Sequence, residues 1–274
     1  DLFLEAFQRN LRPIAKFLLS PYFVLGKFSL KNASAITSTS KAYVNWALSF
    51  ANRNKNKFDS VLPLVSEQSN ISKENIEESK IWWSSKKVDI SKKNKFCFVG
   101  NINYSYNFSL LRDVAVDFEK RNIDCQFVIC GKGDQFNEVE KLFEGLKNTS
   151  FPGWISYSQI KTLMNSCVAS IAPYKNISNF NTNLTNKFID SFSSGLPVIT
   201  GLTGEIKKEL EDNGVCLFCE PNFQSWKNSL EKILFDKGLQ LEMSKNCNLL
   251  YEKKFTYKVV YDNFVKKLEQ AARY

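Results

Sequence analysis

From Lys95 onward, short apolar runs alternate with amphipathic stretches of about ten to fifteen residues, the pattern of strands separated by helices. Lys95–Gly100 predicts a first strand, and the spacing of Leu110, Leu111, Val114, Ala115 and Phe118 predicts a helix after it. Cys125–Cys130 reads as a second strand, closed by Gly131-Lys132-Gly133-Asp134 and followed by a helix through Val139 and Leu142. Thr149–Phe151 is a brief strand, Tyr157–Asn165 a helix, Val168–Ala172 a strand ending at Pro173, and Asn186–Ser194 a helix. Leu196–Thr200 and Val215–Cys219 are strands on either side of a helix at Gly204–Glu211. Such alternation implies right-handed crossovers, hence an α/β fold with a Rossmann-like parallel sheet covered by helices on both faces, over about 95–240.

Outside that region the pattern changes. Residues 1 to about 65 predict a helix, a short strand in Ala33–Ser40 leading into a helix start, and a strand at Ser60–Val65. Ser66 to about Asn94 is rich in Ser, Asn, Lys and Glu and reads as a linker anchored by Ile81-Trp82-Trp83. The tail from about 240 to 270 is helical, with Phe255, Val259, Val260, Phe264 and Leu268 at helical spacing.

The 274 residues, 43% hydrophobic and 24% charged, suffice for one large domain or two modest ones without disulfides or metals. Seven cysteines, an odd set partly inside apolar runs, predict small core hydrophobes and a reducing, cytoplasmic compartment. Cys216-Leu217-Phe218-Cys219 lacks a second ligand pair, so no zinc site is expected. The chain has no histidine, which removes Ser-His-Asp and Cys-His nucleophiles, histidine-ligated metals and imidazole acid–base chemistry. Its formal charge of +9 points to an anionic ligand, an anionic membrane surface or simply a basic solvated surface; RNP, KH and zinc patterns are absent, which argues against nucleic acid. Phe17–Leu25, which contains Pro21 and is flanked by cations, is too short to cross a bilayer but suited to lie on one. The chain opens on Asp1 with no signal-peptide pattern, so an excised or truncated start is expected.

In open parallel sheets ligands bind beyond the carboxyl ends of the strands. There the sequence places Gly100 and Asn101, then Lys132 between two glycines, then Trp154 and Ile155, then Tyr174 and Lys175. A polar loop containing Thr182 follows, and Thr185, Asn186 and Lys187 open the next helix with Asp190 one turn in. Each of these alone has an ordinary structural reading as a turn, a cap or packing. Together, backbone amides with lysines suit a diphosphate, and a carboxylate beside them suits a ribose.

The ordered set Phe98-Val99-Gly100, Phe127 to Gly133, Phe151-Pro152-Gly153-Trp154-Ile155, Ile171 to Tyr174, and Asn186 to Asp190 followed by Gly195-Leu196-Pro197-Val198-Ile199 resembles the C-terminal domain of GT-B glycosyltransferases, specifically the retaining family 4 group. The resemblance covers about 95–220, and more loosely Ala33–Ser40 with Leu62-Pro63-Leu64. It implies a C-terminal half of a GT-B fold plus a partial N-terminal domain: residues 1–70 as a remnant of the acceptor domain, 71–94 as linker, 95–240 as the nucleotide-sugar donor domain, and 241–274 as helices crossing back. It further implies transfer of a sugar, with retention, from a UDP- or GDP-linked donor to an acceptor hydroxyl on a glycan or lipid-linked acceptor, without metal or cofactor, in surface polysaccharide or lipid-linked glycan assembly at the inner face of the membrane. Of the family's two glutamates the second matches Asp190 and the first falls on Thr182; the Arg and Lys that follow the family's first strand have no match in Ile102–Phe108, leaving Lys132, Lys175 or Lys187 for the diphosphate. The alternative is a degenerate transferase acting as a non-catalytic nucleotide-binding or partner subunit. The catalytic residue itself is not identified.

Overall fold

The computed structural model describes residues 12–66, 71–175 and 183–273. Its contacts divide the chain into two units, residues 1–63 with 262–274 and residues 64–261.

The larger unit is built on six parallel strands: β3 (Lys95–Val99), β4 (Gln126–Cys130), β5 (Thr149–Gly153), β6 (Cys167–Ala172), β7 (Val198–Thr200) and β8 (Cys216–Phe218), ordered β5-β4-β3-β6-β7-β8. The pleat sends alternate residues of each strand to opposite faces. Phe96, Phe98, Phe127 and Ile129 therefore enter one core, and Cys97, Val128 and Cys130 enter another with Leu163, Met164 and Leu196. Burial on both faces explains why these strands are continuous apolar runs. All seven cysteines are buried and unpaired, as their apolar surroundings predict, and burial pushes the Cys125 and Cys219 thiols up to about 12 and about 11.

Helices α5 (Phe108–Lys120), α6 (Phe136–Leu142), α7 (Tyr157–Asn165), α8 (Asn186–Phe192) and α9 (Gly204–Asp212) make the crossovers. Two further helices differ from expectation. The predicted linker holds α4 (Lys73–Ser85), started by the Ser72 side chain accepting from the Asn75 amide and fastened by the fully buried Trp83, whose indole donates to the Gln159 carbonyl at 3.2 Å. Phe223–Phe235 forms α10, burying Trp226, Leu230, Ile233 and Leu234. The predicted crossing tail is two helices, α11 (Lys237–Lys254) within the larger unit and α12 (Tyr257–Ala272), whose residues from 262 onward group with the smaller one.

The smaller unit contains α1 (Arg12–Leu18), α2 (Ser20–Asn32), β1 (Thr37–Ser38), α3 (Lys41–Ala51) and β2 (Ser60–Val61), with β1 and β2 paired in parallel and both shorter than the sequence predicts. Its organising group is Asp59, 4% exposed, which accepts from the Ile36 and Asn56 amides at 2.7 Å each and pairs with the Arg53 guanidinium. Arg53 also donates to the Ala33 carbonyl at 2.6 Å, so one ion pair ties the end of α2 to both strands. Burial opposes ionisation of Asp59, but the bonds from Arg53, Asn56 and Ile36 outweigh it and hold its pKa below the usual value. Stability from this group is therefore present above the unfolded pKa and lost as pH falls through the folded one. Asp59→Asn is expected to lower unfolding free energy by about 2 kcal/mol at neutral pH. Urea melts at pH 7 and pH 3 check this, the deficit shrinking at the lower pH.

Candidate functional site

The chain adds β4 and β5 on one side of β3 and β6, β7 and β8 on the other, so the order reverses between β3 and β6, where an open α/β sheet leaves a crevice at the carboxyl ends. The loop after β3 does not stop at its own strand. Asn107 donates its amide to the Pro173 carbonyl at 2.7 Å, Lys175 donates its amide to the Ser105 carbonyl at 2.8 Å, and Tyr106 and Tyr174 form an antiparallel bridge with ring centroids 4.9 Å apart. Loop 100–107 is thereby strapped over the exit of β6. On the other side it is laced to the loop after β4, the Ile102 amide donating to the Lys132 carbonyl at 2.8 Å and the Gln135 amide to the Ile102 carbonyl at 3.2 Å.

Gly100 has φ +152°, and a Cβ there would overlap the Lys187 amine. That amine sits under the crevice floor: Lys187 is 9% exposed, donates to the Val99 carbonyl at 2.6 Å, and lies 4.1 Å from the centroid of the Phe98 ring. Burial pushes its pKa down to about 8, with Asp190 and then Cys97 acting in the opposite direction. The cation that the sequence offers at this helix start for a diphosphate is thus a buried one, because Lys187, Phe188 and Ile189 all turn inward at the start of a two-turn helix packed on both sides.

Asp190, half-buried on the same helix, acts electrostatically on two amines. Lys187 is one. The other is Lys161 of α7, an amphipathic-helix position with no local signal: its Nζ donates to Ser193 Oγ at 2.5 Å and Ser194 Oγ at 3.0 Å, and both hydroxyls donate to the Asp190 backbone carbonyl, at 2.8 and 3.1 Å. Burial lowers the Lys161 pKa while the Asp190 charge works to raise it. The result is a half-buried carboxylate within the electrostatic reach of two partly desolvated cations at the carboxyl side of the sheet, a site that can accept hydroxyl hydrogen bonds while its surroundings attract an anion.

The sequence profile of the glycosyl transferases group 1 family matches residues 81–248, more than half of the chain. The chain belongs to that family. A search of curated sequences gives no significant match. Among solved structures, Anabaena HepE, crystallised with UDP and glucose, is 13% identical with a TM-score of 0.69 over 90% of this chain and 66% of its own. WaaG, a glycosyltransferase involved in lipopolysaccharide biosynthesis, is 14% identical with a TM-score of 0.63 over 83% and 61%. Sucrose-phosphate synthase from Thermosynechococcus elongatus is 14% identical with a TM-score of 0.65 over 92% and 61%. The fold is that of these GT-B glycosyltransferases, and the chain spans a little under two thirds of their length.

Within this group 1 glycosyltransferase fold the expected site residues separate into three sets. Gly100, Lys187 and Asp190 converge as described. Asn101, Lys132, Trp154, Lys175 and Asn186 present exposed side chains in the loops and helix start around them, Trp154 at 67% exposure. Ile155 and Tyr174 are buried, and Thr185, at the N-cap of α8, shares a 3.0 Å hydrogen bond with the Tyr174 hydroxyl instead of capping the helix. Thr182 lies outside the described residues. Among the described residues no group of three or more His, Cys, Asp or Glu is placed to hold a metal.

Proposed function

We propose that the chain is the donor-binding part of a retaining glycosyltransferase that moves a sugar from a UDP-linked donor to an acceptor hydroxyl in surface polysaccharide or lipid-linked glycan assembly. The observation that carries this reading is the buried Lys187 amine held on the Val99 carbonyl behind Gly100 at the switch-point crevice, with Asp190 one turn further along the same helix. Asp190 accepts from the ribose hydroxyls. Lys132 and Lys175, both exposed, meet the diphosphate from above, and the field of Lys187 reaches it past the Cβ-less Gly100. Stabilising the leaving diphosphate is the main catalytic task of such a site, and lysines supply that charge without a metal. UDP is preferred as the donor base because HepE was crystallised with it.

Calorimetric titration with UDP, GDP and ADP tests the reading. UDP is expected to bind, and Asp190→Ala to weaken it by about 2 kcal/mol, a charged hydrogen-bond partner being lost. Unchanged affinity in the variant would remove Asp190 from the site. UDP-sugar turnover that survives EDTA is the second expectation. The absence of histidine and the Thr at 182 favour one other reading, a nucleotide-binding partner subunit, which UDP binding without turnover would support.

A further inference from the structure

Helix α8 carries both Lys187 and Asp190 within two turns, and a helix that short does not hold its shape alone. Its ends are fixed by other elements. At the start, the Lys187 amine donates to the Val99 carbonyl of β3 at 2.6 Å, while the Thr185 side chain is spent on the Tyr174 hydroxyl. At the far end the tie is Lys161 of α7. Its amine donates to the Ser193 and Ser194 hydroxyls, these donate to the Asp190 backbone carbonyl, and Ser194 Oγ also lies 3.6 Å from the Met164 sulfur on α7. Helix α7 is itself a firm support: Ser156 and Gln159 close a capping box at its start, the Trp83 indole donates to the Gln159 carbonyl, and Leu163 and Met164 are buried.

An ordinary surface lysine keeps its amine in water. This one gives up part of its hydration for two neutral hydroxyls and the Tyr157 ring, whose centroid is 5.7 Å away, an exchange that costs free energy. Burial accordingly pushes its pKa down, and the opposing pull is the charge of Asp190. The amine acts on Asp190 by charge and through the main chain, not by bonding the carboxylate, so the acceptor oxygens stay open to a ligand. A cation at the last turn of a helix meets the negative end of its dipole, and a chain of amine, hydroxyl and carbonyl polarises each bond in it. Both effects favour one placement of that turn, and Asp190 belongs to it. We propose that Lys161 is a positioning residue of the donor site, fixing the last turn of α8 through Ser193 and Ser194 so that the Asp190 carboxylate meets the ribose hydroxyls. This role rests on Asp190 being the ribose acceptor.

Two measurements on the full chain test it, each with Lys161→Met and with the pair Ser193→Ala and Ser194→Ala. Amide hydrogen exchange without ligand is expected to quicken about tenfold at Ser193, Ser194 and Gly195, whose amides bond back into α8, and to stay unchanged in β3 and β4. Calorimetry then compares UDP with 2′-deoxy-UDP. The parent should prefer UDP by about fivefold, and both variants should lose most of that preference while still binding. Lys161→Arg, whose guanidinium fork can serve both hydroxyls, should keep the preference within about twofold. General loosening of the fold would weaken both nucleotides alike and leave their ratio untouched. Unchanged exchange overturns the proposal, and so does faster exchange with the parental ratio, which would leave Lys161 a structural tie only. A parent that binds UDP and 2′-deoxy-UDP equally overturns the ribose role of Asp190 and this role with it; a parent that discriminates, matched by its variants, overturns the Lys161 role alone.

Discussion

Gly131→Ala is expected to cost about 4 kcal/mol of unfolding free energy in the larger unit, enough to leave little of a typical domain's stability. The residue has φ +138°, and a Cβ there would lie inside the Gly100 carbonyl oxygen. The carbonyl has no room to yield: the Gly100 amide donates to Cys130 at 3.0 Å, and the Gly131 amide donates to Gly153 at 2.7 Å. Overlap with backbone must be relieved by separating β3 from β4, two interior strands of the sheet, which is why the cost exceeds ordinary positive-φ strain of about 1–3 kcal/mol. Gly145 supplies the comparison, with φ +86° and open space around its missing Cβ. Gly145→Ala should cost only about 1 kcal/mol. Urea denaturation of the two variants separates crowding from φ alone, and similar midpoints would show that the close approach of the two loops is not what requires glycine at 131.

This glycine shows where sequence reading succeeds and where it stops. Gly131-Lys132-Gly133 is legible as a break after a strand because the apolar run ends there, and its reason is not: neither glycine cradles a phosphate by any known fingerprint, and both are needed because the Gly100 and Ile102 carbonyls press against them. The strands and helix α7 are legible because burial on two faces, or on one helical stripe, writes a period into the sequence. Helix α4 is hidden because Trp83 and Ser79 are its buried side chains and, apart from Ile76, Ile81 and Trp82, the rest of the segment is Lys, Glu, Ser and Asn; the Ser72 cap was the available signal. Trp226, Leu230, Ile233 and Leu234 carry a helical period as clear as that of α5, so α10 was open to the same argument. The site is harder still. Asp190 stands out by its place after a strand and loop, whereas Lys161 is an unremarkable polar position on an amphipathic helix until α8 brings Ser193 and Ser194 against it. Likewise nothing local announces that Lys187 points inward.

Lys187 makes the second large prediction, one whose sign is set by burial. An ammonium that titrates near 8 in the folded chain and at the ordinary value of 10.5 when unfolded penalises folding wherever both states hold the proton. Below pH 8 the penalty is complete. Between about 8 and 10.5 the folded chain releases the proton while the unfolded chain keeps it, so stability rises with pH, by about 3 kcal/mol across the whole interval. Lys187→Met removes the titration, and the difference in unfolding free energy between parent and variant should change by that amount between pH 7 and pH 10.5, the parent gaining; a constant difference would mean that the amine is better solvated than its 9% exposure implies. A fold that tolerates such a cost at neutral pH has a use for the charge, and on the proposed function the use is the diphosphate. An anion above Gly100 favours the protonated amine, so UDP binding near pH 8 should take up about half a proton. Calorimetry in buffers of different ionisation enthalpy reads that uptake directly. In Lys187→Met it should vanish along with part of the affinity, whereas loss of affinity with uptake intact would assign the proton to another group and leave Lys187 as a packing residue under the crevice.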